Sequence, residues 1–310
     1  MHIFMTGGTG FIGRHLSKML ISEGFNVTIA TRNPDKYQAS GNDGPSRESD
    51  QRPALRYVLL QDDHRTEINQ SDVVINLAGE SLFGKWWTAR VKKRLYDSRI
   101  QTTRSLVSDI KEVENKPDLF ISASAVGYYG DCGDQIITED QDSGNDFLAT
   151  VCRDWEKEAQ AASKLGTRVV NPRIGIALGT DGGALSTMLP VFRKGLGGAI
   201  GSGSQFFPWI HVDDLCRSIL YAIQEKSITG PFNATAPNPV SMDVFSRELA
   251  HALSRPSFFK VPEVVLKTVL GEAATMLTAS LRAVPEKLEK HGFCHNYPNL
   301  SDAFGDLLQS

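Results

Sequence analysis

No apolar run in this chain approaches the ~18 residues that a membrane-spanning helix needs, so no membrane span is expected. Cysteine is sparse. Cys132, Cys152, Cys216 and Cys294 stand far apart, with no Cys-x-x-Cys pair. That argues against a disulfide framework and for a reducing, cytoplasmic setting. Charge of one sign is also missing: 33 Lys and Arg balance 36 Asp and Glu, for a net charge of −3. Nothing global therefore draws the chain to nucleic acid or an anionic membrane. Met1-His2-Ile3-Phe4-Met5 already reads as a strand entering a glycine loop, so no signal or transit peptide is expected. His291, Cys294 and His295 are close together, but no second ligand pair stands at a recognisable spacing. Loop residues are the better reading of that cluster, and no metal is expected.

What is present is strand–helix alternation over 310 residues, 41% of them hydrophobic. Ile3 to Thr6 reads as a strand. Ile12, Leu16, Met19 and Leu20 fall on one helix face, and Gly24 is placed to end that helix. Phe25 to Thr31 is a second strand. Residues 40–53, rich in Gly, Ser and Pro, read as a mobile loop. Leu55 to Leu60 and Val73 to Leu77 suit buried parallel strands. A basic helix follows over about 86–112, then a strand at Leu119 to Ser124, a helix over 146–165 and a strand at Thr167 to Asn171. The expected fold is α/β, a doubly wound parallel (Rossmann) sheet with a smaller, mainly helical C-terminal lobe. Residues 1–178 should form the nucleotide-binding domain, with 212–235 returning to it; residues 179–211 and 236–310 should form the substrate lobe.

Thr6-Gly7-Gly8-Thr9-Gly10-Phe11-Ile12-Gly13 joins the first strand to the first helix. Gly7 permits the tight turn, Gly10 lets a pyrophosphate approach the backbone, and Gly13 lets the helix pack on the sheet. The phosphates would then meet free N–H groups at a helix N-terminus. At the end of the second strand an NAD site usually has an acid for the ribose 2′-hydroxyl. Here stands Thr31-Arg32-Asn33, and Arg32 suits a 2′-phosphate, which favours NADP.

Further segments narrow the family. They are Ile75 to Glu80 (INLAGE), Ser98-Arg99-Ile100, Ser122 to Gly130 (SASAVGYYG), Gly195 to Gly203 (GLGGAIGSG), Pro208 to Leu215 (PWIHVDDL) and Val284-Pro285-Glu286-Lys287-Leu288 with Gly292-Phe293. Together they resemble the atypical extended short-chain dehydrogenase/reductases of the SDR39U1-like or YfcH-like epimerase family, from residue 2 to about residue 306. The resemblance implies a Rossmann domain for NADP(H), with contacts at Gly7, Gly10, Phe11 and Ile12. It implies Thr31 and Arg32 near the 2′-phosphate, Leu77 and Ala78 beside the adenosine and ribose, and Arg99 nearby. Ala177 would lie near the nicotinamide end. Extended relatives often pair two helices from each copy, so a homodimer is an expectation of the same kind.

One element of such enzymes is missing. They usually carry Tyr-x-x-x-Lys on a helix, so that the lysine's charge favours the phenolate. None of the seven tyrosines here has a lysine four residues on, and the expected positions fall at about Leu148 and Cys152. Ser124 still ends its strand, where it would hold a substrate oxygen. Tyr128 and Tyr129 follow at the sheet's carboxyl edge. Either is a proton donor if a nearby cation lowers its pKa; the alternative is structural packing. Glu80 reads as an acid or base or, better, as a loop-stabilising carboxylate. Gln205 to His211 reads equally as an apolar pocket wall or as core. His211 with Asp213 reads as a structural hydrogen bond.

The expectation is thus an NADP-dependent oxidoreductase or epimerase acting on a small carbonyl or hydroxyl substrate. The alternative is an NADP(H)-binding regulatory or sensor protein that has lost turnover. Nucleic acid is not an expected partner, because no base-stacking pattern accompanies the basic run at 85–99.

Overall fold

The computed structural model describes residues 1–38, 53–82, 86–257, 259–261, 264, 266, 268 and 271–309. The expected loop at 40–53 therefore lies, but for its last residue, outside the described residues.

The first half runs β1 (His2–Thr6), α1 (Phe11–Ser22), β2 (Asn26–Thr31), α2 (Pro34–Gln38), β3 (Leu55–Leu59), α3 (Arg65–Asn69), β4 (Val73–Asn76), α4 (Ala89–Glu112) and β5 (Leu119–Ser122). After Ala123 come β6 (Ser124–Ala125), a 3₁₀ turn at Val126–Tyr129, β7 (Ile136–Ile137), α5 (Phe147–Gln160) and β8 (Arg168–Ile174). Then follow β9 (Ile176–Leu178), α6 (Gly183–Arg193), β10 (Gly198–Ile200), β11 (Phe206–Phe207), β12 (Trp209–His211), α7 (Val212–Gln224) and β13 (Gly230–Ala234).

The main sheet has the order β13-β8-β5-β4-β1-β2-β3, with all pairs parallel and β6 also pairing β8. This is the expected doubly wound sheet. Its strands are apolar on both faces because helices cover both. Ile3, Met5, Ile29 and Ile75 pack with Leu16 and Leu20 of α1 and Leu215 and Ile219 of α7. On the other face Phe4, Val74 and Phe120 pack with Leu106 and Ile110 of α4 and Ala159 of α5. Each such side chain contributes roughly 1.5–3 kcal/mol by leaving water. The strand order reverses between β1 and β4, with β2 and β3 added on one side of β1 and β4 onward on the other, so the crevice for a ligand opens beyond Thr6 and Asn76, at the carboxyl ends.

Two departures from expectation are local. The strand expected at 119–124 is broken at Ala123, whose N–H donates to the Asn76 carbonyl while Ser124 moves on to pair with Arg173. The glycine-rich stretch at 179–203 holds a full helix, α6, whose Leu185, Leu189 and Phe192 were not read as a stripe. They pack in a second core with Phe207, Trp209, Phe245 and Phe304. Phe245 belongs to α8 (Met242–Ala252), which follows β14 (Val240–Ser241); Phe304 belongs to the helix Leu300–Gln309. The chain beyond 236 also contains β15 (Phe259–Val261), paired to β10, and β16 (Arg282–Ala283), paired to β7. No helix among the described residues is long and apolar enough to cross a membrane.

Candidate functional site

The β1–α1 turn is made of main chain. Gly7 has φ +75°, and a Cβ there would lie 2.5 Å from the Leu77 carbonyl carbon and oxygen. A Cβ at Gly13 would lie 2.3 Å from the Gly7 oxygen. Only glycine allows these two approaches. They draw α1 against the turn, and the turn against the residues after β4. Leu77 N–H donates to the Thr6 carbonyl at 3.0 Å. Beneath lies Asn76, fully buried. It accepts from Thr6 Oγ1 at 2.7 Å and from Ala78 N–H at 3.2 Å, and donates to Thr103 Oγ1 at 2.8 Å. One amide thus ties β1, β4 and α4 together at the switch point.

The helix ends differ in an informative way. Thr88 caps α4, Asp146 caps α5 and Ser241 caps α8, each through a side-chain oxygen. Gly10, at the N-cap of α1, supplies none, and the first turn of α1 carries no acid. The first N–H groups of a helix need acceptors, and an anion is a favourable one. The residues present therefore fit a dinucleotide pyrophosphate at Gly10, Phe11 and Ile12.

The other expected cofactor residues border this turn. Thr31 is buried at the end of β2 and Arg32 is exposed just beyond it. Arg99, on α4, donates to the Glu80 carbonyl at 3.1 Å and the Leu95 carbonyl at 3.0 Å, and lies against Gly79 and the Trp155 ring. Burial holds its pKa below the ordinary arginine value. Ala177 is buried in β9, and its carbonyl lies against Gly183. The Phe11 ring is walled by Gly179, Gly182 and Gly183, and Asp181 of that loop pairs with Arg14 and His15 of α1.

Ser124, Tyr128 and Tyr129 meet around a buried ion pair. Ser124 Oγ donates to Glu156 Oε1 at 2.6 Å. Arg173 holds Glu156 bidentately, Nε to Oε1 at 2.8 Å and Nη2 to Oε2 at 2.9 Å. Its Nη1 donates to Tyr129 Oη at 2.8 Å and to the Glu139 carbonyl at 3.2 Å. Tyr129 Oη in turn donates to Asn233 Oδ1 at 2.6 Å. Burial pushes the Tyr129 phenol up to about 12, with Arg173 opposing. Burial weighs against the Arg173 charge, but its bonds to Glu156 more than offset this and its pKa is raised. Tyr128 is half-buried and stands apart: the Arg173 guanidinium carbon lies 3.6 Å from its ring centroid.

Leu148 and Cys152, at the places of the missing pair, do other work. Leu148 packs on Gly127 and joins Trp87, Phe147, Ala273 and Met276 in an apolar cluster. Cys152 is buried beside Ser124, and burial pushes its thiol up to about 12.

Glu80 pairs with Arg94 at 3.3 Å. His211 Nδ1 accepts from Asp213 N–H, capping α7, and Trp209 is core. His291 and His295 bond the carbonyls of Lys287 and Thr235, and no cluster of metal ligands occurs among the described residues. Sequence reasoning missed the Glu156–Arg173 pair. A signal was present: an arginine stands next to last in a largely buried strand, and a glutamate stands one helical turn beyond Cys152.

Residues 3–234 match the family described as "NAD dependent epimerase/dehydratase family", and residues 261–307 match "Domain of unknown function (DUF1731)". The chain is similar to "Epimerase family protein YfhF" of Bacillus subtilis, 39% identical over 99% of this chain and 98% of the relative. It is also similar to "Epimerase family protein SDR39U1 homolog, chloroplastic" of Arabidopsis thaliana, 38% identical over 100% of this chain and 87% of that one. Among solved structures, human epimerase family protein SDR39U1 (isoform 2) with NADPH superposes with a TM-score of 0.85 at 30% identity, covering 100% of both chains.

Proposed function

The chain belongs to the NAD dependent epimerase/dehydratase family, and from that premise we propose that it binds NADP(H) and acts, as an oxidoreductase or epimerase, on a small carbonyl or hydroxyl substrate. One observation carries the reading: α1 begins without a side-chain cap, behind a turn that only glycine can make. The human relative whose structure contains NADPH supports the choice of nucleotide. Bound NADP(H) supplies a hydride donor or acceptor. The N–H groups at Phe11 and Ile12 hold the pyrophosphate, and Gly10, whose own N–H donates to the Gly7 carbonyl, lets it approach the backbone. Thr31 and Arg32 hold the 2′-phosphate, Leu77, Ala78 and Arg99 flank the adenosine and ribose, and Ala177 closes the far end.

Tyr128 is the proton donor in this reading. Its ring lies under the Arg173 guanidinium, which holds it at the carboxyl edge of the sheet, and its hydroxyl is not tied into the chain of bonds that holds Tyr129. Tyr129 and Ser124 are positioning residues, because their hydroxyls hold Arg173 and Glu156 in place. A second reading, NADP(H) retained as a sensing ligand without turnover, is favoured by Leu148 and Cys152 standing at about the places where short-chain dehydrogenases usually carry Tyr and Lys, one in an apolar cluster and the other buried. A homodimer that pairs two helices from each copy is part of the same proposal.

The test is titration of the protein with NADPH and with NADH, followed by nicotinamide fluorescence. NADPH should bind roughly 10–100-fold more tightly, with the difference lost in Arg32→Ala, the scale of one charge-assisted phosphate contact. Equal affinities in the wild type would remove the role of Arg32; no binding of either would remove the whole reading.

A further inference from the structure

The loop at residues 179–183, which joins β9 to α6, lies on the Phe11 ring with main chain rather than side chains. A Cβ at Gly179 or Gly182 would stand 2.6 Å from that ring, and one at Gly183, where φ is +73°, 2.9 Å. Glycine at these positions is what lets the loop come down onto α1. Asp181, between them, turns towards the helix. Its Oδ1 lies 3.0 Å from His15 Nε2, and its Oδ2 accepts from Arg14 Nη2 at 3.3 Å. The same Arg14 nitrogen reaches the Asp181 carbonyl at 3.4 Å, and Arg14 Nη1 reaches the Thr9 carbonyl at 3.4 Å. Burial opposes the charge of the Asp181 carboxyl, but its bonds to His15 and Arg14 outweigh this and hold it below the ordinary carboxylate range.

Two neighbouring side chains of one helix thus hold one carboxylate of the loop, and the pairing joins the two ends of the proposed nucleotide site. Before the loop stands Ala177, proposed for the nicotinamide end, whose carbonyl lies against Gly183. At the clasp stands the first turn of α1, where the Phe11 N–H is proposed to hold the pyrophosphate. The helix cannot follow the loop outward, because Gly13 is packed on the Gly7 carbonyl. The loop is held less firmly. The side chains of Asp181, Arg14 and His15 are 50%, 44% and 34% exposed, so the clasp is a modest contact that water can break. Lifting the loop breaks the clasp and uncovers Phe11, and it leaves the main sheet intact.

We propose that Asp181 is the catch of a loop that retains bound NADP(H), with Arg14 and His15 as its keepers. Closed, the loop keeps water and competing anions from the first turn of α1; open, it lets the nucleotide leave. The keepers have a second effect. They offset a carboxylate that would otherwise repel phosphate at that end of the helix. Asp181 is a positioning residue, because it acts through the loop and not on the reacting atoms. This deepens the proposed function and rests on it.

The test is stopped-flow release of NADPH from the full chain, displaced by excess NADP+ and followed by nicotinamide fluorescence. Asp181→Asn should speed release roughly 3–10-fold, the scale of two exposed ion pairs, and Asp181→Glu should restore most of the wild-type rate. At about 1 M sodium chloride, where the screening length is ~3 Å, the difference between wild type and Asp181→Asn should vanish. The urea midpoint should not move, since the clasp is exposed. Arg14→Ala/His15→Ala should release NADPH as fast as Asp181→Asn, and adding Asp181→Asn to that pair should change nothing further. Unchanged release in Asp181→Asn, equally fast release in Asp181→Glu, a difference that survives salt or a lowered urea midpoint would each overturn the proposal. Additive effects would overturn it too, because Arg14 would then meet the phosphates itself. Failure of NADPH to bind in the preceding titration would fall on the cofactor reading instead. Hydrogen exchange over residues 177–185 without nucleotide then decides for the catch: Asp181→Asn should exchange roughly 3–10-fold faster there, and equal exchange overturns it.

Discussion

On the β1 side of the switch point the crevice is lined with main chain, and on the β8 side with charged and polar side chains. Gly7 presses on the Leu77 carbonyl and Gly13 on the Gly7 carbonyl, while α1 begins with no side chain turned back to cap it. Across the sheet, Ser124, Glu156, Arg173, Tyr129 and Asn233 form an unbroken chain of hydrogen bonds. The first region keeps its donors available and stores little in side-chain contacts. The second spends its polar groups on one another. Ligand affinity should therefore respond to the first region and stability to the second, and substitutions can separate the two.

The largest effect should come from Gly7→Ala. The residue sits at φ +75°, and the added Cβ would stand 2.5 Å from the Leu77 main chain, which cannot yield without moving β4. We expect NADPH binding to fall by more than ~100-fold, together with ~3 kcal/mol or more of stability. Fluorescence titration and urea unfolding measure the two. Near-normal binding would mean that the turn does not hold the nucleotide.

Next is Glu156→Gln. The side chains of Arg173 and Glu156 are 3% and 11% exposed, so the variant leaves a guanidinium buried without its counter-charge. A loss of roughly 3–5 kcal/mol in urea unfolding is expected. The double variant Glu156→Leu/Arg173→Met should lose less than Glu156→Gln alone, since it buries no orphan charge. NADPH affinity in folded Glu156→Gln should stay within a factor of a few; a large loss would erase the proposed division between the regions.

Tyr129→Phe comes third, at about 1–3 kcal/mol, because it leaves Asn233 Oδ1 without its donor and Arg173 without one acceptor. The pH dependence carries the same information. Burial raises the Tyr129 phenol and the Cys152 thiol, each to about 12, so the fold favours their neutral forms. In the unfolded chain these groups ionise at about 10 and 8.5. Their contribution is whole below those values and is lost as pH climbs through the folded ones, so stability should decline from about pH 9 to pH 12. Tyr129→Phe should flatten the upper part of that decline, and an unchanged slope would show that the phenol does not titrate in this window.

The two regions were also unequally legible in the sequence. The glycine turn could be read because close backbone approach admits one residue type, and the strand–loop–helix order around it is local. The role proposed for Arg32 rests on the absence of an acid at the end of β2, and the structure adds only that Arg32 is exposed just beyond that strand. The polar chain was not read, because it joins residues from β6, α5, β8 and β13 that approach only when the sheet closes. Ser124 and Tyr129 were singled out for the crevice edge they share. That their hydroxyls face Glu156 and Asn233 depends on the break at Ala123 and on β13 pairing with β8. Helix α6 was missed for the opposite reason: flanking glycines masked Leu185, Leu189 and Phe192, whose core is supplied by α8 and the final helix.

Tyr128→Phe should have the smallest effect on stability, and it bears most directly on whether the β8 side performs chemistry at all. The adjacent Tyr129 is 3% exposed and bonded on both sides of its oxygen; Tyr128 is half-buried and meets Arg173 through the face of its ring. Phenylalanine keeps that ring, so unfolding free energy should change by no more than ~0.5 kcal/mol and NADPH affinity should not move. Once a substrate that drives NADPH oxidation has been found, the rate of that step should fall roughly 100-fold or more, the usual worth of a positioned proton donor. An unchanged rate would take proton transfer away from Tyr128. With Tyr129 locked in its bonds, the β8 side would then be a structural brace beside a nucleotide cradle, and the sensing function would be the better reading.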